Sequence, residues 1–179
     1  MVSRTAAVLI VIDIQGNLAQ AMLDKENLFA SAVKMIRGAH IFNLPVIATE
    51  QIPEKLGRTI PQINAELNGG GIISKESFSC WGSDIFRQEL EAHSRRQAIV
   101  LGIETHVCVY QTVLDLIAHG YDVHVVADAV SSRTAANRSI GLARMQEAGA
   151  HITSTETVLF EMLRTAADSK FKDVYKIVK

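Results

Sequence analysis

Apolar residues along this chain follow two alternating rhythms, and their order predicts the fold. Residues 6–12 read Ala-Ala-Val-Leu-Ile-Val-Ile without polar alternation, as expected of a strand buried on both faces. Over 28–42, Leu28, Ala32, Met35, Ile36, Ala39 and Phe42 recur at helical spacing, and Asn43-Leu44-Pro45 stops that helix. A second strand is predicted over 46–49. The stretch 52–71 holds two of the three prolines and four of the eleven glycines, so it reads as one long loop, of a kind that usually shapes a site. A weak strand at 72–74 and a helix at 83–93 precede an apolar run at 98–101. Beyond it come a helix, a strand at 122–127, a helix at 134–148, a strand at 151–153, and helical segments at 155–163 and 168–177. This alternation implies a single α/β domain over residues 1–179, a doubly wound, Rossmann-like parallel sheet of about six strands with right-handed crossovers.

The run Ala98-Ile99-Val100-Leu101 ends at Gly102, and after Ile103-Glu104-Thr105 the spacing of Val109, Val113, Leu116 and Ile117 becomes helical. Thr105 is the expected N-cap. Cys108 then falls in the first turn of a helix. There, unpaired N–H groups and the helix dipole are expected to lower the thiol pKa and make the sulfur a nucleophile. The backbone N–H groups of Glu104 and Cys108 are candidates to hold a developing oxyanion.

Composition narrows the partners. A net charge of -1, with acids and bases interspersed, offers no basic stripe for nucleic acid or an anionic membrane. The 6–12 run is far shorter than a bilayer span and no small-residue cleavage site follows it, so a cytoplasmic location is expected. Two cysteines, Cys80 and Cys108, make no disulfide framework and no four-ligand zinc pattern.

Ligands of an open doubly wound sheet bind beyond the carboxyl ends of the strands, where the strand order reverses. The polar residues at those ends are Asp13, Glu50 and Gln51, Lys75, residues 104–108 and Asp128. With strand order 3-2-1-4-5-6, Asp13 faces Cys108 across the switch point and Lys75 reaches in from the third strand. These three make a coherent set. Asp13 takes the thiol proton, and Lys75 lowers the thiol pKa and holds Asp13 in place.

Three segments carry this set: VIDIQ at 11–15, ISKESFSCW at 73–81 and GIETHVCV at 102–109. Together with AHGYDVHVVADAVSSR at 118–133, they resemble the isochorismatase-like cysteine hydrolases over nearly the whole chain. The resemblance implies a six-stranded parallel sheet with flanking helices, a catalytic triad of Asp13, Lys75 and Cys108, and a cis peptide near Ile103–Glu104. It also implies a homo-oligomer, a dimer or tetramer. Nicotinamide-hydrolysing members carry a metal site of an aspartate and histidines near the end of the second strand. Here that region reads Ala48-Thr49-Glu50-Gln51-Ile52-Pro53, and no histidine lies between His40 and His93, so no metal and no cofactor is expected. Members that cleave a vinyl ether lack the cysteine, and its presence here points to C–N bond hydrolysis. The closest likeness is to the branch of isochorismatase-domain proteins of animals and their bacterial relatives.

Gln15, Glu50, Gln51, Phe78, Trp81 and Thr105 are the expected substrate-binding residues, although core packing serves equally well for Phe78 and Trp81. Cys80 reads as a bystander, without a helix start or charge partner in sequence. His106, two residues before Cys108, does not face it on a helix. The other histidines, His124 and His151 among them, show no ligand spacing, and Asp128 reads as a capping or turn residue. The leading expectation is therefore a hydrolase of a small amide or related C–N substrate acting through a covalent thioester. A non-catalytic oligomeric scaffold is the alternative. A nucleotide-binding protein is set aside, because Asp13-Ile14-Gln15-Gly16-Asn17-Leu18 is no G-x-G-x-x-G. The apolar arc of the 109–118 helix is wide, which suggests a second partner besides its own sheet.

Overall fold

A computed structural model describes residues 1–67 and 69–179. Six strands, β1 (Ala7–Ile12), β2 (Val46–Gln51), β3 (Ile72–Lys75), β4 (Gln97–Ile103), β5 (Asp122–Ser131) and β6 (His151–Thr153), form one sheet in the order β3-β2-β1-β4-β5-β6. Every pairing is parallel. The order reverses between β1 and β4, so the crevice beyond their carboxyl ends is the topological switch point.

Strand alternation divides the core in two. On one face Leu9, Val11, Ile99 and Leu101 pack against Ala32, Met35 and Ile36 of α2 (Lys25–Ile41) and Leu159 of α8 (Thr155–Leu163), with Val174 of α9 (Phe171–Val178) beyond. On the other, Val8, Ile10 and Val100 meet Phe86 and Leu90 of α5 (Asp84–Ala92), Val113 and Leu116 of α6 (Tyr110–Ala118) and Met145 of α7 (Ala135–Glu147). Each fully buried aliphatic side chain contributes roughly 1.5–3 kcal/mol, and the two layers clamp the central strands from both sides. No helix among the described residues is long and apolar enough to cross a membrane.

Three expectations need correction. The stretch 52–71 is not one loop: it holds the short helices α3 (Pro53–Leu56) and α4 (Pro61–Glu66), each opened by a proline in its first turn, where the missing N–H costs nothing. A further short helix, α1 (Gly16–Gln20), follows β1. The fifth strand runs past 127 to Ser131, shifting register against β4 between Val100 and Gly102; within it Asp128 accepts from Thr155 N at 2.8 Å and ties down the start of α8. Finally, the wide apolar arc of α6 finds its second partner inside the chain, because α7 and the turn Cys80–Gly82 both pack on it. That arc therefore gives no argument for self-association.

Gly102 lies opposite Ile12, where β4 packs tightly against β1. Its φ is +131°, and a Cβ there would stand 2.1 Å from the Ile12 carbonyl oxygen. Gly102→Ala is expected to cost at least about 2 kcal/mol, read as a lower urea midpoint. An unchanged midpoint would show that the two strands can part at this position.

Candidate active site

Three strand ends converge on one buried ion pair. Asp13 follows β1 with a φ of +52°, a left-handed conformation that aspartate tolerates better than most residues. Lys75 closes β3, and β2 lies between the two. The lysine reaches past the end of β2, so its Nζ stands 2.6 Å from Asp13 Oδ2, with both side chains at or below 2% exposure. Its other acceptors are Gln51 Oε1 at 2.8 Å and the carbonyls of Phe78 at 3.1 Å and Ser77 at 3.2 Å. The second carboxylate oxygen of Asp13 accepts from Thr49 Oγ1 at 2.7 Å. An ion pair removed from water is tolerable only when hydrogen bonds satisfy its remaining valences, and these partners do so.

Beside this pair β4 delivers Cys108. The Ile103–Glu104 peptide is cis, and a wide π turn, Thr105–Val109, leads into α6. Cys108 lies in that turn, 8% exposed, with Sγ 4.0 Å from Gln51 Oε1. Gly141 of α7 lets that helix lie against the turn, since a Cβ there would stand 2.9 Å from the Thr105 carbonyl. Sequence similarity over residues 7–157 matches the isochorismatase domain.

The chain belongs to the isochorismatase family.

Among its relatives, isochorismatase domain-containing protein 2 of Xenopus laevis is 39% identical over 174 residues, covering 97% of this chain and 83% of that one. A secreted isochorismatase effector, Isc1, of Phytophthora sojae is 37% identical over 178 residues, covering 97% and 85%. The solved structure of the MAR1 ribonuclease of Caenorhabditis elegans superposes with a TM-score of 0.93 at 34% identity, covering 99% of this chain and 91% of that one.

The state of the thiol in this isochorismatase-family site differs from the expectation. Burial, and next the Asp13 carboxylate within hydrogen-bonding reach, push the Cys108 thiol up to about 12, against a weaker pull from Lys75. A helix start offers only about half an elementary charge, too little to offset desolvation beside an anion. Cys108 thus rests as a thiol next to a carboxylate, not as a thiolate.

Other expected residues fall into distinct roles. Gln15 is fully buried, its Oε1 accepting from Gln51 N at 2.6 Å and its Nε2 donating to the carbonyls of Gln51 and Gly57 at 2.9 and 2.7 Å. It clamps the end of β2. Gln51 in turn donates to the Glu76 carbonyl at 2.6 Å and accepts from Lys75, so its side chain holds the lysine in place. Glu50 takes the Thr59 N and Oγ1 at 2.6 and 2.8 Å and Arg58 Nη1 at 3.1 Å. Its carboxylate anchors the segment between α3 and α4. The Glu104 carboxylate receives Arg133 N at 3.1 Å and Nε at 3.2 Å.

Two expectations are overturned. Thr105 is not the N-cap: Glu104 occupies that position, and Thr105 Oγ1 is buried without a hydrogen-bond partner. Trp81 does not wall the site. Its ring stacks on His119 at 4.1 Å and stands edge-on to Tyr121, closing the far end of α6. Phe78 is 55% exposed beside the lysine-binding carbonyls. His106 turns to Ser132 Oγ at 3.0 Å.

Sequence reasoning missed Thr49 and the depth at which Cys80 is buried. Thr49 could have been found as the polar residue before Glu50 at a strand end. Cys80 had no such signal, because folding alone brings it beneath the pair: it is fully buried, 3.7 Å from Thr49 Oγ1, with burial pushing its thiol to about 11.

Two outcomes follow from this geometry. Alkylation of Cys108 by iodoacetamide should keep accelerating between about pH 8 and 10, because the thiolate fraction grows until the pKa is reached. Cys80 should react far more slowly throughout. A rate plateau near neutrality would restore the low-pKa thiolate. Separately, Lys75→Met strands the Asp13 carboxylate and should cost about 3–5 kcal/mol in urea unfolding, with part of it recovered when Asp13→Asn is added. A loss below about 1 kcal/mol would place the pair in contact with water.

Proposed function

We propose that this protein is a cysteine hydrolase of a small amide or related C–N substrate. The observation that carries the reading is a nucleophile-bearing helix start set against a buried, fully hydrogen-bonded aspartate–lysine pair. The resting thiol needs a base, and in this reading the neighbouring Asp13 carboxylate serves as that base. As Sγ attacks the substrate carbonyl carbon, the S–H proton passes to the Asp13 carboxylate and a carbon–sulfur bond forms. The carbonyl oxygen becomes an oxyanion, for which the backbone N–H groups of Cys108 and Glu104 are the candidate donors. Asp13 then gives its proton to the leaving nitrogen, the C–N bond breaks, and a thioester remains on Cys108. Water attacks the thioester with Asp13 again taking a proton, releasing the carboxylic acid and restoring the thiol.

Lys75 acts on this cycle through Asp13. Its ammonium, 2.6 Å from Oδ2, holds the carboxylate in position beside the sulfur throughout the cycle. Gln51, bonded to Lys75 and 4.0 Å from the sulfur, keeps the ammonium aligned.

Incubation with pooled small amides, followed by intact-mass and peptide mass spectrometry, should reveal an acyl adduct on Cys108 that Cys108→Ala abolishes. Asp13→Asn should slow both formation and turnover by about 10²–10⁴-fold. No adduct and no amine release from any amide would overturn the reading. So would cleavage of RNA that depends on Cys108, the activity named for the nematode relative.

A further inference from the structure

At the amino edge of the sheet, opposite the end that carries Cys108, the fold assembles a second cluster. The parallel pairing of β5 and β6 sets His124 directly across from His151, and the two-residue period of β5 puts Asp122 on the same face as His124. His124 Nε2 stands 3.2 Å from Asp122 Oδ2, and His151 Nε2 stands 3.0 Å from Asp122 Oδ1. The two imidazoles are stacked, with centroids 4.8 Å apart at 28°. One ligand atom from each of the three residues lies within 4.8 Å of the others.

We propose that Asp122, His124 and His151 form a binding site for one divalent transition-metal ion of the zinc, cobalt or nickel class. Two imidazole nitrogens and a carboxylate oxygen are a donor set of the kind that these ions take from proteins. With metal–ligand bonds of about 2.0–2.2 Å at tetrahedral angles, ligand atoms stand roughly 3.3–3.5 Å apart, close to the separations from Asp122. Only small side-chain adjustments are needed to seat the ion.

Support around the cluster points the same way. Gln97 sits opposite Asp122 in the β4–β5 register and donates from Nε2 to Asp122 Oδ2 at 2.9 Å. A hydrogen bond to a ligating carboxylate is the usual means of fixing its orientation. The same Gln97 amide donates to the Met1 carbonyl at 3.1 Å, so the cluster is tied to the chain's first residues as well as to the sheet. His124 is 4% exposed, whereas the His151 side chain is 62% exposed. The site is therefore closed by protein on one side and open to water on the other, leaving a fourth position for a solvent ligand. Its structural effect is definite. β6 is an edge strand of three residues, and a metal bridging His151 to Asp122 and His124 would pin it to β5.

The test uses metal-stripped, untagged full-length protein titrated with zinc chloride in a calorimeter, with thermal unfolding measured in parallel. One equivalent should bind, and zinc should raise the unfolding temperature. Replacing the exposed ligand, His151→Ala, should abolish both effects while leaving the circular dichroism spectrum unchanged. Gln97→Ala, which leaves all three ligands in place but removes the support to Asp122 along with the ties to Met1 and Ser3, should weaken binding by about tenfold or more. Absence of stoichiometric binding would overturn the proposal. So would binding that survives both His151→Ala and Asp122→Asn, because the zinc would then lie elsewhere, for example on a thiol.

Discussion

The ion pair between Lys75 and Asp13 is the constraint on which the carboxyl edge of this sheet depends. Two charges held away from water at 2.6 Å are favourable only if nearly every donor and acceptor around them is used, and that requirement organises the surrounding chain. Gln51 must stand between β1 and β3 to share the ammonium, so Gln15 clamps its backbone. The segment after β3 must curl back to present the Ser77 and Phe78 carbonyls. Thr49 must precede Glu50 to reach Asp13. An apolar core would give comparable stability from simpler residues; what the pair adds is a carboxylate fixed beside the sulfur.

The sulfur itself shows which electrostatic effect prevails. A helix start and a nearby ammonium both favour thiolate, while burial and the Asp13 carboxylate oppose it, and the opposition prevails with a thiol pKa of about 12. A thiol beside a base, rather than a preformed thiolate, shields the protein from adventitious alkylation and oxidation. In the proposed reaction it also couples activation of the sulfur to the arrival of a substrate that accepts the developing charge. Cys80, deeper and pushed to about 11, has the same desolvation without an opening to solvent.

Where a signal was local, the sequence was readable. The uninterrupted runs at 6–12 and 98–101 announced central strands, and the rule that ligands gather at carboxyl ends of strands put Asp13, Lys75 and Cys108 among a handful of candidates. What escaped depended on partners distant in the chain. The prolines of 52–71 were read as breakers although they start two short helices. Thr105 looked like a cap, but Glu104 takes that position ahead of the π turn and leaves Thr105 Oγ1 without a partner. Trp81 read equally as pocket wall or core, and its stacking on His119, 38 positions away, decides for packing. His124 and His151, 27 positions apart in sequence, meet only because strand register pairs them, and register is not written in a spacing pattern.

Charge balance around the crevice bears on what it can accept. Asp13 is matched by Lys75, Glu50 by Arg58 and Glu104 by Arg133, the two arginines standing largely in solvent at 81% and 59% exposure while their partners are buried. With the thiol neutral, these residues present no unpaired charge to an incoming ligand. An uncharged carbonyl compound enters without displacing a counter-ion, and its oxyanion, once formed, meets N–H donors at a helix start rather than a competing cation. A phosphodiester carries its charge from the outset and would have to draw Lys75 away from Asp13 or recruit Arg58 or Arg133 from the buried carboxylates that hold them. Breaking either kind of pair leaves a buried carboxylate uncompensated, at a cost of several kcal/mol. For the proposed reaction, the network that holds Asp13 and Lys75 together therefore favours neutral substrates.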